Sequence, residues 1–434
     1  MYSAFVTRIK NLRKHSNADR LLCGECFGNT VIVGLDTQPD ELGVYFPVDG
    51  KLGIEFAQKN DLLRRKDENG NPAGGYLDPE KRNIKALKLR GEKSDGLFMP
   101  LSSLAEFTDI SQLKDGDTIT QLNGVTICEK YVQVRKQSAN VGAGNRTRKR
   151  KDPISPLFME HADTEQLPYN LGAFHQGDLV EITLKMHGTS QRTGYLPMLS
   201  GYKRTLLDKL FRRPGTPIYD WGYVTGTRRV VLDTYDGGFY GSNAFAKVFE
   251  GKPHKGETVY YEVVGFTDDG TPIMASCDNK KVGDKDFVKQ YGKQTVFSYG
   301  CSPDGVDAPK SALYVYRMTI TNEDGDVVEY PPFYMRYRCE QMGVNCVPLL
   351  WSGFVPENDN PGEWVKGVAE CYYDGADPIG KSHVREGVVC RIVNRPKFTA
   401  YKHKNFAFKV LEGIVKEVAS APDMEEAQEV TEAA

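Results

Sequence analysis

The chain has 434 residues, enough for two or three domains at roughly 150 residues each. Charged residues make up 26% and hydrophobic ones 40%, the balance of an ordinary folded protein rather than a disordered or fibrous one. Lys and Arg number 56 against 58 Asp and Glu, so no global basic field argues for nucleic acid, and no run of apolar residues is long enough for a membrane helix.

Residues 1–14 are amphipathic and basic without a continuous apolar stretch, which argues against a secretory signal. Nine cysteines, an odd number spread along the chain, point to reduced thiols and a cytoplasmic protein. Residues 1–125 read as short strands: one begins with Ala4, Val6 and Ile9, another is 30–34, a third 43–46. Gly28-Asn29 and Asn69-Gly70 punctuate them. Many short strands with few long helical patterns predict a small β-barrel or sandwich. Cys23-Gly-Glu-Cys26 lies inside a strand-like stretch and has no second pair at zinc spacing, so both cysteines are read as structural. None of the seven histidines forms an H-x-x-x-H pair.

Residues 137–156 break the pattern. A polar, Gly-containing stretch leads into Arg146, Arg148, Lys149, Arg150 and Lys151, followed by Pro153 and Pro156. This reads as a flexible basic linker, either a solvated tether or an arm that contacts phosphates. Residues 157–416 form a large domain with strands predicted at 179–184, 258–266, 313–320, 387–393 and 406–415. Long polar loops are expected at 197–217, 267–293 and 321–365. The tail 417–434 has six acidic residues and no Lys or Arg, and reads as disordered. Without it, residues 1–416 carry 56 basic against 52 acidic side chains.

The most informative segment is Leu179-Val-Glu-Ile-Thr-Leu-Lys-Met-His-Gly-Thr-Ser190. Val180, Ile182 and Leu184 alternate with Glu181, Thr183 and Lys185, so a half-buried strand delivers Lys185 to its end, just before a glycine turn. A lysine so placed can be partly desolvated and act through its lone pair. Gly188 lets backbone approach a phosphate, and Thr189 and Ser190 add donors. K-x-x-G itself occurs five times, starting at Lys88, Lys93, Lys185, Lys280 and Lys289, and Lys93-Ser-Asp-Gly96 even fits K-x-D-G. Lys93, however, is read as following a charged turn, and Lys280 and Lys289 lie in a polar loop.

Three further clusters lie downstream of Lys185. Tyr260-Tyr261-Glu262-Val263-Val264-Gly265 puts one carboxylate in an apolar strand, and Arg385-Glu386-Gly387-Val388-Val389 puts another at a strand start. Tyr401-Lys402-His403-Lys404 places two lysines on one face of an extended segment. A carboxylate in such surroundings is costly unless it meets a metal or another cation. Two carboxylates that hold Mg²⁺ and three lysines that neutralise a polyphosphate would suit one task. Taken singly, each reads first as a structural salt bridge; it is the ordered set that points to the shared task.

The order of these motifs resembles the covalent nucleotidyltransferase superfamily of polynucleotide ligases and mRNA-capping enzymes. The nucleophile motif resembles Lys185-Met-His-Gly188 and the next resembles Thr227-Arg228-Arg229. The first acidic motif resembles Tyr261-Glu262-Val-Val-Gly265, the adenine-stacking motif Tyr314-Val-Tyr316, the second acidic motif Glu386-Gly-Val-Val389, and the last Lys402-His-Lys404. Val6-Thr-Arg-Ile9 with His15-Ser-Asn-Ala-Asp-Arg-Leu21 is similar to the OB-fold of tRNA-binding modules and to the first domain of one branch of ATP-dependent RNA ligases. In that branch the segment before the nucleophile resembles Phe158-Met-Glu-His-Ala-Asp-Thr-Glu-Gln166. Two residues depart from the pattern: His187 stands where Asp or Asn is commoner, and Arg317 follows Tyr316 where many members have Asp. The stacking residue is therefore open between Tyr314 and Tyr316.

The resemblance implies an α+β protein: an OB-fold barrel over residues 1–136, the linker, and a ligase-like domain of antiparallel sheets with flanking helices over 157–416. It implies an RNA ligase that joins 3′-OH and 5′-phosphate ends through lysyl-AMP and RNA-adenylate intermediates, as in RNA repair. Lys185 would be the nucleophile, and ATP would meet Lys185, Gly188, Arg228, Glu262, Tyr316, Glu386, Lys402 and Lys404. Mg²⁺ or Mn²⁺ would be held by Glu262 and Glu386. RNA, as free ends or a nicked duplex, would be the partner of a monomer, with Arg146, Arg148, Lys149, Arg150 and Lys151 on its phosphates. Two alternatives stand beside this: a guanylyltransferase using GTP, and an RNA-binding protein without chemistry.

Overall fold

The computed structural model describes residues 2–66, 72–131, 153–211, 213, 215–228, 231 and 244–414. The basic cluster 146–151 and the acidic tail 417–434 lie outside the described residues. The protein is α+β, built mostly from antiparallel sheets with few helices. It divides into two compact units. The first comprises Met1–Gln133, Cys277–Gln294 and Asn405–Val415, and the second comprises the remainder.

The main strands of the first unit are β1 (Ala4–Arg8), β2 (Lys10–Lys14), β3 (Leu21–Cys26), β4 (Asn29–Gly34), β5 (Leu42–Phe46), β6 (Ala86–Leu89), β7 (Glu92–Asp95), β8 (Leu97–Pro100) and β9 (Thr118–Ile119). They form a four-stranded sheet in the order β8-β5-β1-β9, a three-stranded sheet β2-β3-β4 and a hairpin β6-β7. Period-2 alternation turns Ala4 and Val6 inward, where they join Val44, Phe46, Leu52, Phe56, Leu104 and Ile127 in one core. Cys23 and Cys26 are both buried in β3, and all nine cysteines of the chain are free.

Lys93 follows a charged turn, as read, but lies within a strand rather than outside one. Arg90 and Gly91, both at positive φ, make a tight hairpin turn, and Lys93 belongs to β7. Its ammonium sits 5.1 Å from the Phe406 ring centroid. Two segments read from the sequence as part of the large domain pack into this unit instead. Lys88 reaches Asp284 at 2.5 Å, and Lys409 reaches Asp95 at 2.6 Å.

The run 406–415, predicted as a strand, is the helix Phe406–Ile414. A short continuous apolar run does not distinguish strand from helix by periodicity. Here the Asn405 side chain accepts from the Ala407 N–H at 2.7 Å, capping a helix that buries Phe408 and Leu411 three residues apart.

The second unit holds β10 (Glu165–Gln166), β11 (Leu179–Lys185), β12 (Thr189–Lys203), β13 (Thr216–Thr227), β14 (Glu257–Gly265), β15 (Ser311–Thr321), β16 (Val327–Glu329), β17 (Leu349–Phe354), β18 (Gly387–Ile392) and β19 (Thr399–Lys404). One sheet runs β10-β19-β18-β11-β17, and another runs β13-β12-β14-β15-β16 with Asn345–Cys346 beside β15. The strands expected at 179–184, 258–266, 313–320 and 387–393 are β11, β14, β15 and β18. The helix Pro361–Glu370 buries Val365 and Ala369 with Val180, Ile182, Val388 and Cys390 of the first sheet. Alternation then turns Glu181, Thr183, Lys185, Val389 and Arg391 to the opposite face.

The three expected loops are largely ordered elements. Residues 197–217 contain most of the far end of the β12–β13 hairpin and the short helix Leu206–Leu210. A register shift at Leu199/Gly201 and exposure on both faces erase the alternation that would mark a strand. Residues 267–293 carry the helix Lys285–Tyr291, and 321–365 carry β17 and the helix Pro332–Met342. That helix buries Met335, Arg338, Cys339 and Met342 at helical spacing. Its apolar stripe is interrupted by Arg338, which pairs with fully buried Glu257 at 2.8 Å.

Candidate active site

Within the second unit the two sheets face each other across a cleft of about 1060 Å³, counting its open mouth. The five-stranded sheet contributes Glu181, Thr183, Lys185, Val389, Ala400 and Lys402, and the other sheet contributes Ser190, Glu262 and Tyr316. Pro332, Met335 and Arg336 of one helix close another side.

Lys185 is the last residue of β11 and pairs in register with Gly387 of β18, which in turn pairs with Lys404 of β19. Gly387 has φ 149°, and a Cβ there would lie 2.1 Å from the His403 carbonyl oxygen. Glycine at this position brings the three strands close, and Glu386 just before it is 2% exposed. Glu386 Oε1 lies 2.8 Å from Lys185 Nζ and 3.6 Å from Lys404 Nζ. Burial alone would raise the Glu386 pKa, but the two lysines outweigh it and hold the carboxyl below its ordinary value. Glu386 Oε2 is buried without a hydrogen-bond partner among the described residues. Lys402, two residues before Lys404 on β19, lines the cleft.

The turn after Lys185 is held by two acceptors. The His187 N–H donates to the Tyr299 hydroxyl at 2.7 Å, and the Gly188 N–H donates to Glu262 Oε1 at 3.1 Å. A Cβ on Gly188 would meet the Val263 carbonyl oxygen at 2.4 Å, so glycine lets this turn lie against β14. His187 occupies a position where the resembled pattern favours a short polar side chain. Its ring packs edge-on to Phe297 at 4.6 Å, and burial pushes its pKa down to about 3, so it is neutral. Ser190 pairs in register with Glu262, and its hydroxyl lies 2.6 Å from the Tyr316 hydroxyl.

Tyr316 lines the cleft, whereas Tyr314 is not among the lining residues. Arg228 also lines the cleft and is ion-paired with Asp163. Lys185, Gly188, Arg228, Glu262, Tyr316, Glu386, Lys402 and Lys404 are thus brought to one cleft and its immediate border. Arg229 and the five basic residues of the linker lie outside the described residues. Glu262 accepts the Gly188 N–H through Oε1, and Glu386 keeps Oε2 without a hydrogen-bond donor among the described residues; carboxylate oxygens of this kind are the ligands a hard divalent cation takes.

Sequence reasoning missed several neighbours. Glu181 takes a bidentate pair from Arg336 at 2.8 and 2.8 Å, and Arg391 lies beside it on the cleft wall. Glu181 was legible as a polar position on the Lys185 face of β11, but Arg336 sits in a segment read as loop. Tyr299 gave no sequence signal. His161 belongs to the segment before the nucleophile and also lines the cleft.

No family model matches the chain, and no curated protein matches it. Solved structures do. A mutant RNA ligase of Naegleria gruberi with AMP and Mn is 14% identical, with a TM-score of 0.55 over 94% of this chain and 97% of that one. The same ligase with pyrophosphate is 16% identical, with a TM-score of 0.54 over 95% and 98%. A mutant with ATP and Mn is 16% identical, with a TM-score of 0.53 over 94% and 97%. The chain has an RNA-ligase fold. The likeness extends over nearly the full length of both chains, so this fold accounts for both compact units and not only for the sheets around the cleft. Among the described residues no helix of this RNA-ligase fold is long and apolar enough to cross a membrane.

Proposed function

We propose that the protein is an ATP-dependent RNA ligase that joins 3′-OH and 5′-phosphate ends. The observation that carries this reading is the convergence of Lys185, Glu386 and Lys404 in one strand row, with Glu262 tied to the turn after Lys185. The Nζ lone pair of Lys185 attacks the α-phosphorus of ATP. A P–N bond forms, the bond to the bridging oxygen breaks, pyrophosphate leaves with the electron pair, and Nζ sheds a proton. AMP then passes to the RNA 5′-phosphate as the P–N bond breaks. Finally the 3′-OH attacks that phosphate and displaces AMP. Covalent catalysis divides one hard displacement into easier ones.

Each residue has a part in this reading. Lys402 and Lys404 offset charge on the transferring phosphate, and Arg228 contributes from β13's end. Gly188 admits the phosphate close to backbone, and Tyr316 presents a ring to the adenine. Glu262 and Glu386 would hold Mg²⁺ or Mn²⁺, which would supply charge stabilisation to the phosphates. The first 136 residues are assigned as an OB-fold barrel that grips RNA by its backbone, a reading supported by the short antiparallel strands around one core. Arg146, Arg148, Lys149, Arg150 and Lys151 add phosphate contacts.

Incubation with α-labelled ATP or GTP and Mg²⁺ tests the chemistry. ATP should label the protein on Lys185, and Lys185→Ala, with an unchanged melting curve, should abolish the label. Label from GTP alone, or label on Lys93, would overturn the reading. Sealing of nicked duplex against single-stranded RNA then identifies the preferred ends.

A further inference from the structure

His161 is not used by the reaction just described, yet its surroundings are built around it. Its ring lies on the cleft wall, 5.1 Å from the Tyr316 ring, 5.4 Å from Tyr260 and 6.1 Å from Phe398. Its Nδ1 lies 3.3 Å from Arg317 Nη1. Arginine carries only donors, so Nδ1 must be the acceptor. The ring is also neutral: burial, then the charges of Arg317, Arg228 and Arg192, push its pKa well below the ordinary value. A neutral imidazole that accepts at Nδ1 carries its proton on Nε2.

Arg317 is itself fixed. Its guanidinium pairs with Glu329 through Nε, at 2.9 Å, and through Nη2, and lies between the rings of Tyr260 and Phe398 at 4.6 and 4.7 Å. The His161 tautomer is therefore set by a buried, immobilised cation. Nε2 has no hydrogen-bond partner among the described residues, which leaves a single N–H donor on a residue of the cleft wall.

We propose that His161 is a specificity residue that reads the nucleotide base, donating from Nε2 to N1 of adenine. This rests on the ligase reading, which puts the nucleotide phosphate at Lys185 and Lys402 and the base against Tyr316. His161 stands with Phe398 and Arg391 away from Lys402, since Phe398, the residue just before β19, precedes Lys402 by four residues, about 13 Å along extended chain. The edge of a purine farthest from its ribose is the one bearing N1 and C6. In adenine N1 is an acceptor, and in guanine it carries a hydrogen, so the same donor would face a donor. A site built to hydrogen-bond one base rejects another chiefly through the unpaired polar group it leaves.

The test measures equilibrium binding of AMP, 1-deaza-AMP, 7-deaza-AMP and GMP by calorimetry, and covalent labelling by the matching triphosphates separately. The wild-type protein should bind 1-deaza-AMP about 10-fold more weakly than AMP, the scale of one hydrogen bond, and 7-deaza-AMP equally well. His161→Phe should bind AMP and 1-deaza-AMP alike, and His161→Gln, which can place an amide donor near Nε2, should restore part of the preference. Equal wild-type affinity for AMP and 1-deaza-AMP overturns the proposal. So does a 1-deaza penalty that persists in His161→Phe. If His161→Phe does not fold, the wild-type comparison still decides. Nucleotide binding with this base preference but without covalent labelling would instead count against the ligase reading alone.

Discussion

Replacing Glu386 with Gln keeps the shape of the side chain and removes its charge. At an effective dielectric of about 20, the attraction is about 6 kcal/mol to Lys185 at 2.8 Å and about 5 kcal/mol to Lys404 at 3.6 Å. Desolvation of a carboxylate only 2% exposed offsets most of that, and losing one partner of a buried pair costs about 3–5 kcal/mol net. In a domain of this size a loss of that order lowers the melting temperature by about 6–20 °C, at roughly 2–4 °C per kcal/mol. The sign with pH is fixed by direction. The folded carboxyl titrates below its unfolded value of 4.5, so its contribution is complete above that pH and is lost as pH falls through the folded pKa. The melting gap between wild type and Glu386→Gln should therefore be widest near neutrality and should close in acid. Lysyl-AMP formation should fall by about 10²–10³-fold, the scale of losing one preorganised electrostatic contact. A gap that stays constant into acid, or wild-type labelling rates in the folded variant, would show that Glu386 is not charged against these lysines.

Arg338→Met should destabilise the protein by about 3–5 kcal/mol, read by denaturant melting, because Glu257 is fully buried and takes two hydrogen bonds from that guanidinium. Neutralising Arg146, Arg148, Lys149, Arg150 and Lys151 together should weaken RNA binding and reduce its log–log salt slope by up to about 3.5, at roughly 0.7 per lost single-strand phosphate contact; an unchanged slope would leave the cluster as a tether. Deleting residues 1–133 should lower the melting temperature, since Phe408 and Leu411 lose their buried surroundings and Lys409 loses Asp95. If the truncated protein melts as the whole chain does, those segments do not depend on the first unit.

The legible parts of the fold were those where one face is buried and the other is not. β11 reads cleanly because Val180, Ile182 and Leu184 pack on the helix Pro361–Glu370 while Glu181, Thr183 and Lys185 face the cleft. The same physics hid other elements. Phe406–Ile414 is apolar on consecutive residues, so period alone could not separate helix from strand, and the decisive signal was the single cap residue Asn405. Pro332–Met342 buries a charged Arg338 in the middle of its stripe, because Glu257 across from it supplies the opposite charge. A pattern that counts only apolar residues reads such a helix as loop. β12 and β13 extend beyond the sheet as a two-stranded ribbon exposed on both faces, where no alternation is required.

The site shows a different limit. Lys185, Glu386 and Lys404 are each ordinary in their local sequence, and what makes them one site is the strand row Lys185–Gly387–Lys404. That row exists because Gly387 tolerates backbone contact that any Cβ would block. Local sequence therefore displays the chemical groups, and pairing register decides which of them meet. Arg317 shows the converse. It departs from the resembled pattern, and along the chain it looks like a defect beside Tyr316. In space it is held by Glu329 and two rings, and it is the group that fixes which nitrogen of His161 carries the proton. A substitution that breaks a motif in sequence can thus leave the pocket more defined, because a rigid cation behind the wall orients the donor in front of it.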